Sequence, residues 1–269
     1  MKRWKALVFF DLDGTLLDTQ SKISKENQQA IQALRQNNIL PLIASGRSPQ
    51  EIKQITAKTS IHSYVSLNGQ YNVVENQVVS KYAFPINILL KLMDVARLFN
   101  HSFACYSDKE YAACYRDEIM EKLYRLDNAP LPRLSTDFHL KNEIYMGYLF
   151  SEEEVKDALY QEIFADTLTF YRDSPYSLAV VLKGQSKKAG IQQIIHHLGL
   201  AHLPTYAFGD GNNDLGMFEA VRTSIAMGNA SENVKKYADF VTKSHVEDGI
   251  RFGLNHFKLL TRKEENNDY

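Results

Sequence analysis

Ala6-Leu7-Val8-Phe9-Phe10-Asp11-Leu12-Asp13-Gly14-Thr15 is the stretch that decides the fold. Five apolar, strand-prone residues run unbroken to Asp11, as in a strand buried on both faces, and such strands belong to parallel sheets covered by helices. Gly14 marks the exit into a loop. Asp11 and Asp13, two apart, lie on one side of an extended chain, at the strand end where open α/β sheets collect ligands. Carboxylates held that close repel unless one is protonated or a cation sits between them, and a hard, oxygen-seeking ion such as Mg²⁺ is the natural resolution. The alternative is that both residues simply end the strand through Asx turns.

Outward from this stretch, helices and strands alternate. Ser24 caps a helix with Ile31 and Leu34 at helical spacing, residues 39–44 form a second apolar strand, and Ser48, Pro49 and Glu51 open a helix to about residue 58 with a capping box. A third strand covers 64–67. Short connections between such elements predict βαβ units and a doubly wound parallel sheet. The alternation then breaks. Residues 71–82 read as a hairpin around Glu75-Asn76-Gln77, and a helix after Pro85 carries Leu89, Leu92, Val95 and Phe99. Strands follow at 103–106, 144–150, 168–171 and 178–182, with a helix capped by Ser151 and Glu154. After Lys183 the βα pattern returns: a helix over 187–198 closed by Gly199, a strand at 205–208, a helix over 213–221, a strand at 224–227 and a helix over 231–238. Residues 261–269 are polar and read as frayed. The expected architecture is an α/β, Rossmann-like core from residues 1–80 and 183–269, with a smaller α+β unit inserted over 81–182.

A second acidic segment, Phe208-Gly209-Asp210-Gly211-Asn212-Asn213-Asp214, also ends a strand and enters a helix; alone it reads equally as a turn. Two acidic strand ends in one parallel sheet can share one metal. Ile43-Ala44-Ser45-Gly46-Arg47 offers a hydroxyl and backbone N–H groups at a helix entry, suited to an anion, and Gly184-Gln185-Ser186-Lys187 puts an ammonium at a helix start.

The remaining composition is that of an ordinary globular chain. Over 269 residues and 30.8 kDa, 31 basic side chains meet 32 acidic ones, giving a formal charge of −1 and no electrostatic case for binding nucleic acid. No apolar run is long enough to span a membrane, and the apolar start is too short for a secretory leader, so a reduced, cytoplasmic setting is expected. Cys105 and Cys114 sit in apolar-aromatic surroundings and read as buried free thiols, with a hairpin disulfide as the alternative. His196 and His197, adjacent in a helix, read as surface or packing residues.

In order and spacing the four segments resemble the motifs of the haloacid dehalogenase-like hydrolase superfamily. Leu67-Asn68-Gly69, Ala226-Met227-Gly228-Asn229-Ala230 and Glu247-Asp248-Gly249 resemble its Cof-type branch with a large type IIB cap. The resemblance implies that Asp11 is a nucleophile forming an aspartyl-phosphate and Asp13 the acid/base. It implies Mg²⁺ held by Asp11, the Asp13 carbonyl and Asp210, with Asp214 in support. Phosphate oxygens then fall to Ser45, Gly46, Lys187 and Asn213, with the Leu12 amide a further contact. Lys188 departs from the family's usual small residue there, which leaves Lys188 and the more distant Lys183 as rival ammonium groups. Arg47 either stiffens the second motif or touches substrate.

The implied activity is Mg²⁺-dependent hydrolysis of a small phosphorylated metabolite, sugar phosphates foremost, then pyridoxal phosphate, flavin mononucleotide or nucleotides. A sugar-phosphate mutase and a non-catalytic metabolite-binding protein are the competing readings. Substrate recognition is expected on the insert, where Tyr106, Tyr115, Arg116, Tyr145 and Arg172 are the candidates. A monomer or weak homodimer is expected, with neither nucleic acid nor membrane as partner.

Overall fold

The computed structural model describes residues 4–126 and 129–260; the polar segment 261–269 lies outside the described residues. The first half of the core runs β1 (Ala6–Phe10), α1 (Lys25–Gln36), β2 (Ile39–Ala44), α2 (Pro49–Thr56), β3 (Tyr64–Ser66), β4 (Tyr71–Val74) and β5 (Gln77–Lys81). The insert contributes α3 (Ile86–Leu98), β6 (Ser102–Tyr106), β7 (Tyr111–Tyr115), α4 (Glu118–Leu126), α5 (Phe138–Lys141), β8 (Met146–Phe150), α6 (Glu154–Ile163), β9 (Leu168–Ser174) and β10 (Ser177–Leu182). The chain then returns through α7 (Lys187–Leu198), β11 (Thr205–Gly209), α8 (Leu215–Ala220), β12 (Thr223–Ala226), α9 (Glu232–Lys236), β13 (Phe240–Val241) and α10 (Gly249–His256).

Two sheets result. The larger has eight strands in the order β13-β12-β11-β1-β2-β3-β4-β5. Its pairs are parallel from β13 to β3, and β4 and β5 extend it as the antiparallel hairpin read at 71–82. This is the doubly wound sheet expected from the sequence. From central β1 the chain moves first to β2 on one side and much later to β11 on the other, so the crevice past their carboxyl ends is a topological switch point. All five residues of β1 are buried, and side chains alternate between two apolar clusters: Val8 and Phe10 pack with the α1 face, Leu7 and Phe9 with α7.

The second sheet is wholly antiparallel, in the order β7-β6-β8-β10-β9. One face packs on α3 and α6 through Leu89, Leu92, Phe103, Tyr160 and Phe170. Residues of its other face, including Tyr106 and Met146, share an apolar cluster with Leu67 and Tyr71 of the core.

Local signals explain most boundaries. Ser24 Oγ accepts from Asn27 N at 3.1 Å, Ser48 and Glu51 form the capping box, and Gly199 ends α7 in the left-handed region at φ +65°. Other boundaries differ from expectation. Ser151 does not cap a helix: its Oγ accepts from Glu153 N at 3.0 Å in a local turn, and α6 starts at Glu154. The helix expected over 213–221 begins as a 3₁₀ turn over Asn212–Asp214, because the Asp214 carboxylate turns back onto its own loop, and α8 runs only over Leu215–Ala220. β7, β13 and α10 were not anticipated. Cys105 and Cys114 are buried free thiols on adjacent strands, their sulfurs 3.5 Å apart.

Candidate active site

Three strand ends meet at the switch point. Asp11 extends β1, its N–H donating to Phe208 O at 3.0 Å, and its side chain is buried. The chain then coils tightly over Leu12–Leu16, Leu17 N reaching Leu12 O at 2.9 Å, with Gly14 at φ +74°. A Cβ on Gly14 would stand 2.3 Å from Asp210 Oδ2, so the absence of a side chain lets the first loop lie against the second. Thr15 Oγ1 donates to Asp210 Oδ1 at 2.8 Å and fixes that carboxylate. Leu12 buries its side chain in the core.

Beyond β11, Asp214 is fully buried, and its Oδ2 accepts from the N–H groups of Asp210 and Gly211, both at 3.0 Å. Lys187, first residue of α7, follows Ser186, whose Oγ caps the helix by accepting from Ala189 N. Its Nζ is buried between two carboxylates, 2.6 Å from Asp11 Oδ1 and 2.8 Å from Asp214 Oδ1. The rival ammonium groups are bonded away from these carboxylates: Lys188 lines the adjoining cavity but its Nζ pairs with Glu219 at 2.8 Å, and Lys183 donates to Ala165 O at 2.5 Å.

From β2, Ser45 is buried and its Oγ accepts from Arg47 N at 3.2 Å. Gly46 faces Asn68, whose backbone is left-handed together with those of Leu67 and Gly69 at φ +52°, +49° and +91°. The Asn68 N–H donates to Ser45 O at 3.2 Å, so this strained turn buttresses the Ser45 loop. Arg47 reaches across to Asp13 in a bidentate pair, Nε to Oδ2 at 2.9 Å and Nη2 to Oδ1 at 2.5 Å. Asn213 is exposed at the cavity wall.

The carboxylates of Asp11, Asp210 and Asp214 offer one oxygen each within 4.8 Å of one another. The Asp13 side chain stands apart from this cluster, with Arg47. Three carboxylates against one ammonium leave an excess of negative charge in a buried place. Desolvation and the charge of Asp214 raise Asp11 to about 7 even though Lys187 pulls it down. Burial likewise raises Asp210, opposed by the Thr15 hydroxyl. Burial disfavours the Lys187 ammonium, and Asp11 with Asp214 outweighs that penalty, raising its pKa. The hydrogen bonds to Asp13 raise Arg47. A donor set of hard oxygens with surplus charge is the chemistry a small divalent cation relieves, so Asp11, Asp210 and Asp214 fit such an ion.

Above this cluster lies a cavity of about 640 Å³ between the two sheets, reached by Gly46, Lys187 and Asn213 from the core and by Tyr148 and Tyr171 from the insert. Of the insert residues singled out from sequence, Arg172 lines this cavity with its guanidinium tied to Asp157 at 2.6 and 2.7 Å, and Tyr106 lines a neighbouring one. Tyr115, Arg116 and Tyr145 are engaged elsewhere, with Met93 O, Pro132 O and Glu143. Tyr148, Tyr171 and Asn68 went unrecognised as lining residues. Asn229, in the segment 226–230 that carries the family resemblance, has a structural role: its Nδ2 donates to Gly14 O at 2.9 Å and locks the first loop.

An acidic cluster thus lies at the switch point of a doubly wound α/β sheet, overhung by a second, antiparallel sheet. The chain belongs to the haloacid dehalogenase-like hydrolase family, whose model matches residues 8–254. It is 36% identical over 256 residues to YkrA of Bacillus subtilis (strain 168), a protein named as a phosphatase by inference, covering 94% of this chain and 98% of YkrA. A hypothetical protein of Geobacillus kaustophilus HTA426 superposes with a TM-score of 0.85 at 33% identity, covering 94% of this chain and 98% of that one. A subclass IIB sugar phosphatase of the same superfamily superposes with a TM-score of 0.78 at 29% identity, over 94% and 99% of the two chains. No helix among the described residues is long and apolar enough to cross a membrane.

Proposed function

We propose that the protein is a Mg²⁺-dependent phosphomonoesterase acting on small phosphorylated metabolites, with residues 81–182 as its cap. The observation that carries this reading is the buried Lys187 ammonium held between Asp11 and Asp214 at the strand ends. A phosphate monoester is a dianion, so a carboxylate attacks it only where positive charge is fixed in advance. Lys187 supplies such charge without reorganising.

In this reading an Asp11 oxygen attacks phosphorus, the bond from phosphorus to the ester oxygen breaks, and Asp13 gives that oxygen its proton. A water then attacks the aspartyl-phosphate, passes a proton back to Asp13, and releases inorganic phosphate with Asp11 restored. Arg47 holds Asp13 in register for both transfers. The Ser45 hydroxyl, the N–H groups of Gly46 and Leu12, and Asn213 bind the phosphoryl oxygens. Asp11, the Asp13 carbonyl and Asp210 would hold Mg²⁺, with Asp214 in support; the bound ion supplies further neutralisation of the phosphoryl charge.

The test is phosphate release from sugar phosphates, pyridoxal phosphate, flavin mononucleotide and nucleotides, with and without Mg²⁺, for wild type beside Asp11→Asn. Metal-dependent release that disappears in the folded variant is expected. An active Asp11→Asn enzyme overturns the nucleophile assignment, and no release from any ester overturns the hydrolase reading.

A further inference from the structure

We infer that Asn68 contacts the substrate, its Nδ2 donating to an oxygen on the second carbon of the leaving group counted from the ester; the inference rests on the phosphomonoesterase reading. Leu67, Asn68 and Gly69 form a turn at φ +49°, +52° and +91°, left-handed backbone that residues with a Cβ adopt at a cost. The turn is held from two sides. The Asn68 N–H donates to Ser45 O at 3.2 Å, and a Cβ on Gly69 would stand 2.1 Å from the carbonyl oxygen of Ser186, the residue before Lys187. Strain maintained in this way fixes where the Asn68 side chain points.

That side chain lines the cavity over Lys187, where the Ser45 loop meets the insert. Its carboxamide flanks Gly46: Oδ1 and Nδ2 lie 3.3 and 3.4 Å from the place a Cβ on that residue would take. Nδ2 also lies 3.9 Å from Met146 Sδ of β8, and Oδ1 has no partner among the described residues. Sulfur is a weak acceptor, so the carboxamide meets the cavity with its hydrogen-bonding capacity almost unused. An ester whose phosphoryl group sits on the Gly46 N–H and whose organic part runs toward the insert passes this carboxamide within its first atoms. The ester oxygen itself belongs to Asp13, and in an ester of a primary alcohol the next carbon bears no other oxygen. The first oxygen left for Asn68 is on the carbon after it. Hexose 6-phosphates, nucleoside 5′-monophosphates and flavin mononucleotide carry one there, as a ring ether or a hydroxyl, and both accept; pyridoxal phosphate carries none. Asparagine also tolerates left-handed backbone, which would explain the residue by conformation alone. Glycine serves that purpose as well, so replacing Asn68 by glycine separates the two roles.

The test measures two ratios of kcat/KM, 2-hydroxyethyl phosphate over ethyl phosphate and glucose 6-phosphate over pyridoxal phosphate, in wild type, Asn68→Gly and Asn68→Asp. Asn68→Gly keeps the turn and the N–H bonded to Ser45 while removing the carboxamide; Asn68→Asp keeps its shape and removes the donor. One hydrogen bond between uncharged groups is worth roughly five- to tenfold, so both ratios are expected to fall by about that factor in both variants. Ratios that stay at their wild-type values in Asn68→Gly overturn the inference, whether the rates are all retained, as for a residue that serves only the backbone, or all lowered together, as for one that serves only the phosphoryl group. Should wild type hydrolyse no ester in the presence of Mg²⁺, the phosphatase reading fails by itself. Calorimetric titration of glucose 6-phosphate then decides the inference: affinity weaker by roughly five- to tenfold in Asn68→Gly supports the contact, and equal affinity or no binding overturns it.

Discussion

Acidification should drive a bound divalent cation from this site chiefly through Asp11, with Asp210, also raised by burial, acting in the same direction. Burial and the neighbouring Asp214 charge raise Asp11 to about 7 in the metal-free chain. A divalent cation needs the ionised form, so proton and metal compete for the same oxygens. Mg²⁺ affinity should be level above about pH 7 and fall tenfold for each unit below it; at about pH 5.5 this amounts to roughly 30-fold, or ~2 kcal/mol. A carboxylate with its ordinary acidity would leave the affinity flat over that interval. The stability of the metal-free protein should follow with definite sign. Because the folded value lies above the unfolded 3.8, Asp11 favours folding most at low pH, and that contribution is lost as pH rises from about 4 to about 7. Mg²⁺ should restore it, so melting temperatures in Mg²⁺ and in chelator diverge as pH rises. Calorimetric titration of Mg²⁺ into the wild-type protein between about pH 5.5 and 8 provides the direct measurement. Affinity that stays constant across that range would refute the reasoning, and in Asp214→Asn the midpoint should move downward.

Three further outcomes are expected. Lys187→Ala strands the carboxylates of Asp11 and Asp214 without their partner and should lower stability by about 3–5 kcal/mol and abolish phosphate release. Lys188→Ala loses only an exposed pair with Glu219, worth less than ~1 kcal/mol; denaturant titration and turnover that rank the two in reverse would reassign the ammonium. Gly14→Ala forces a Cβ to 2.3 Å from Asp210 Oδ2 at a left-handed backbone position, so it should destabilise by roughly 1–3 kcal/mol and weaken Mg²⁺ binding; wild-type melting and Mg²⁺ affinity would contradict so close an approach. Cys105 and Cys114 should resist a thiol reagent in the native protein and both react after denaturation, whereas rapid native labelling would contradict their burial.

The candidate site's floor was legible because its residues lie in unbroken runs. Asp11, Ser45 and Asp210 each follow an apolar strand directly, and parallel sheets gather such ends at one edge. Lys187 was legible as a helix start, and only the folded chain separates it from Lys188, since adjacent residues leave a helix in different directions. The Arg47–Asp13 pair depends on register. Phe10 faces Ile43 across β1 and β2, which brings the following loops side by side, and residue spacing along the chain carries no trace of that pairing. The insert was harder for the same reason. Tyr145 and Tyr148 lie within one short segment, yet Tyr148 lines the cavity while Tyr145, just before β8, packs on Tyr71 of the core and bonds to Glu143, a difference set by packing that residue spacing does not carry. Tyr111-Ala112-Ala113-Cys114-Tyr115 escaped notice as a strand because it lacks the alternation of a half-buried one: its three central residues are all buried.

The position of β1 between β2 and β11 has a consequence for the chain as it is made. The bond from Thr15 to Asp210 spans 195 residues and that from Lys187 to Asp11 spans 176. A growing chain therefore carries β1 with one edge bare and Asp11 in water until residues beyond 186 have left the ribosome. The antiparallel sheet of residues 102–182, by contrast, draws on one contiguous stretch and closes early. Synthesis thus delivers the antiparallel sheet before the acidic cluster is assembled. Asp11 acquires its raised pKa only when the later segments bury it and bring Asp214 beside it, with Lys187 opposing the rise.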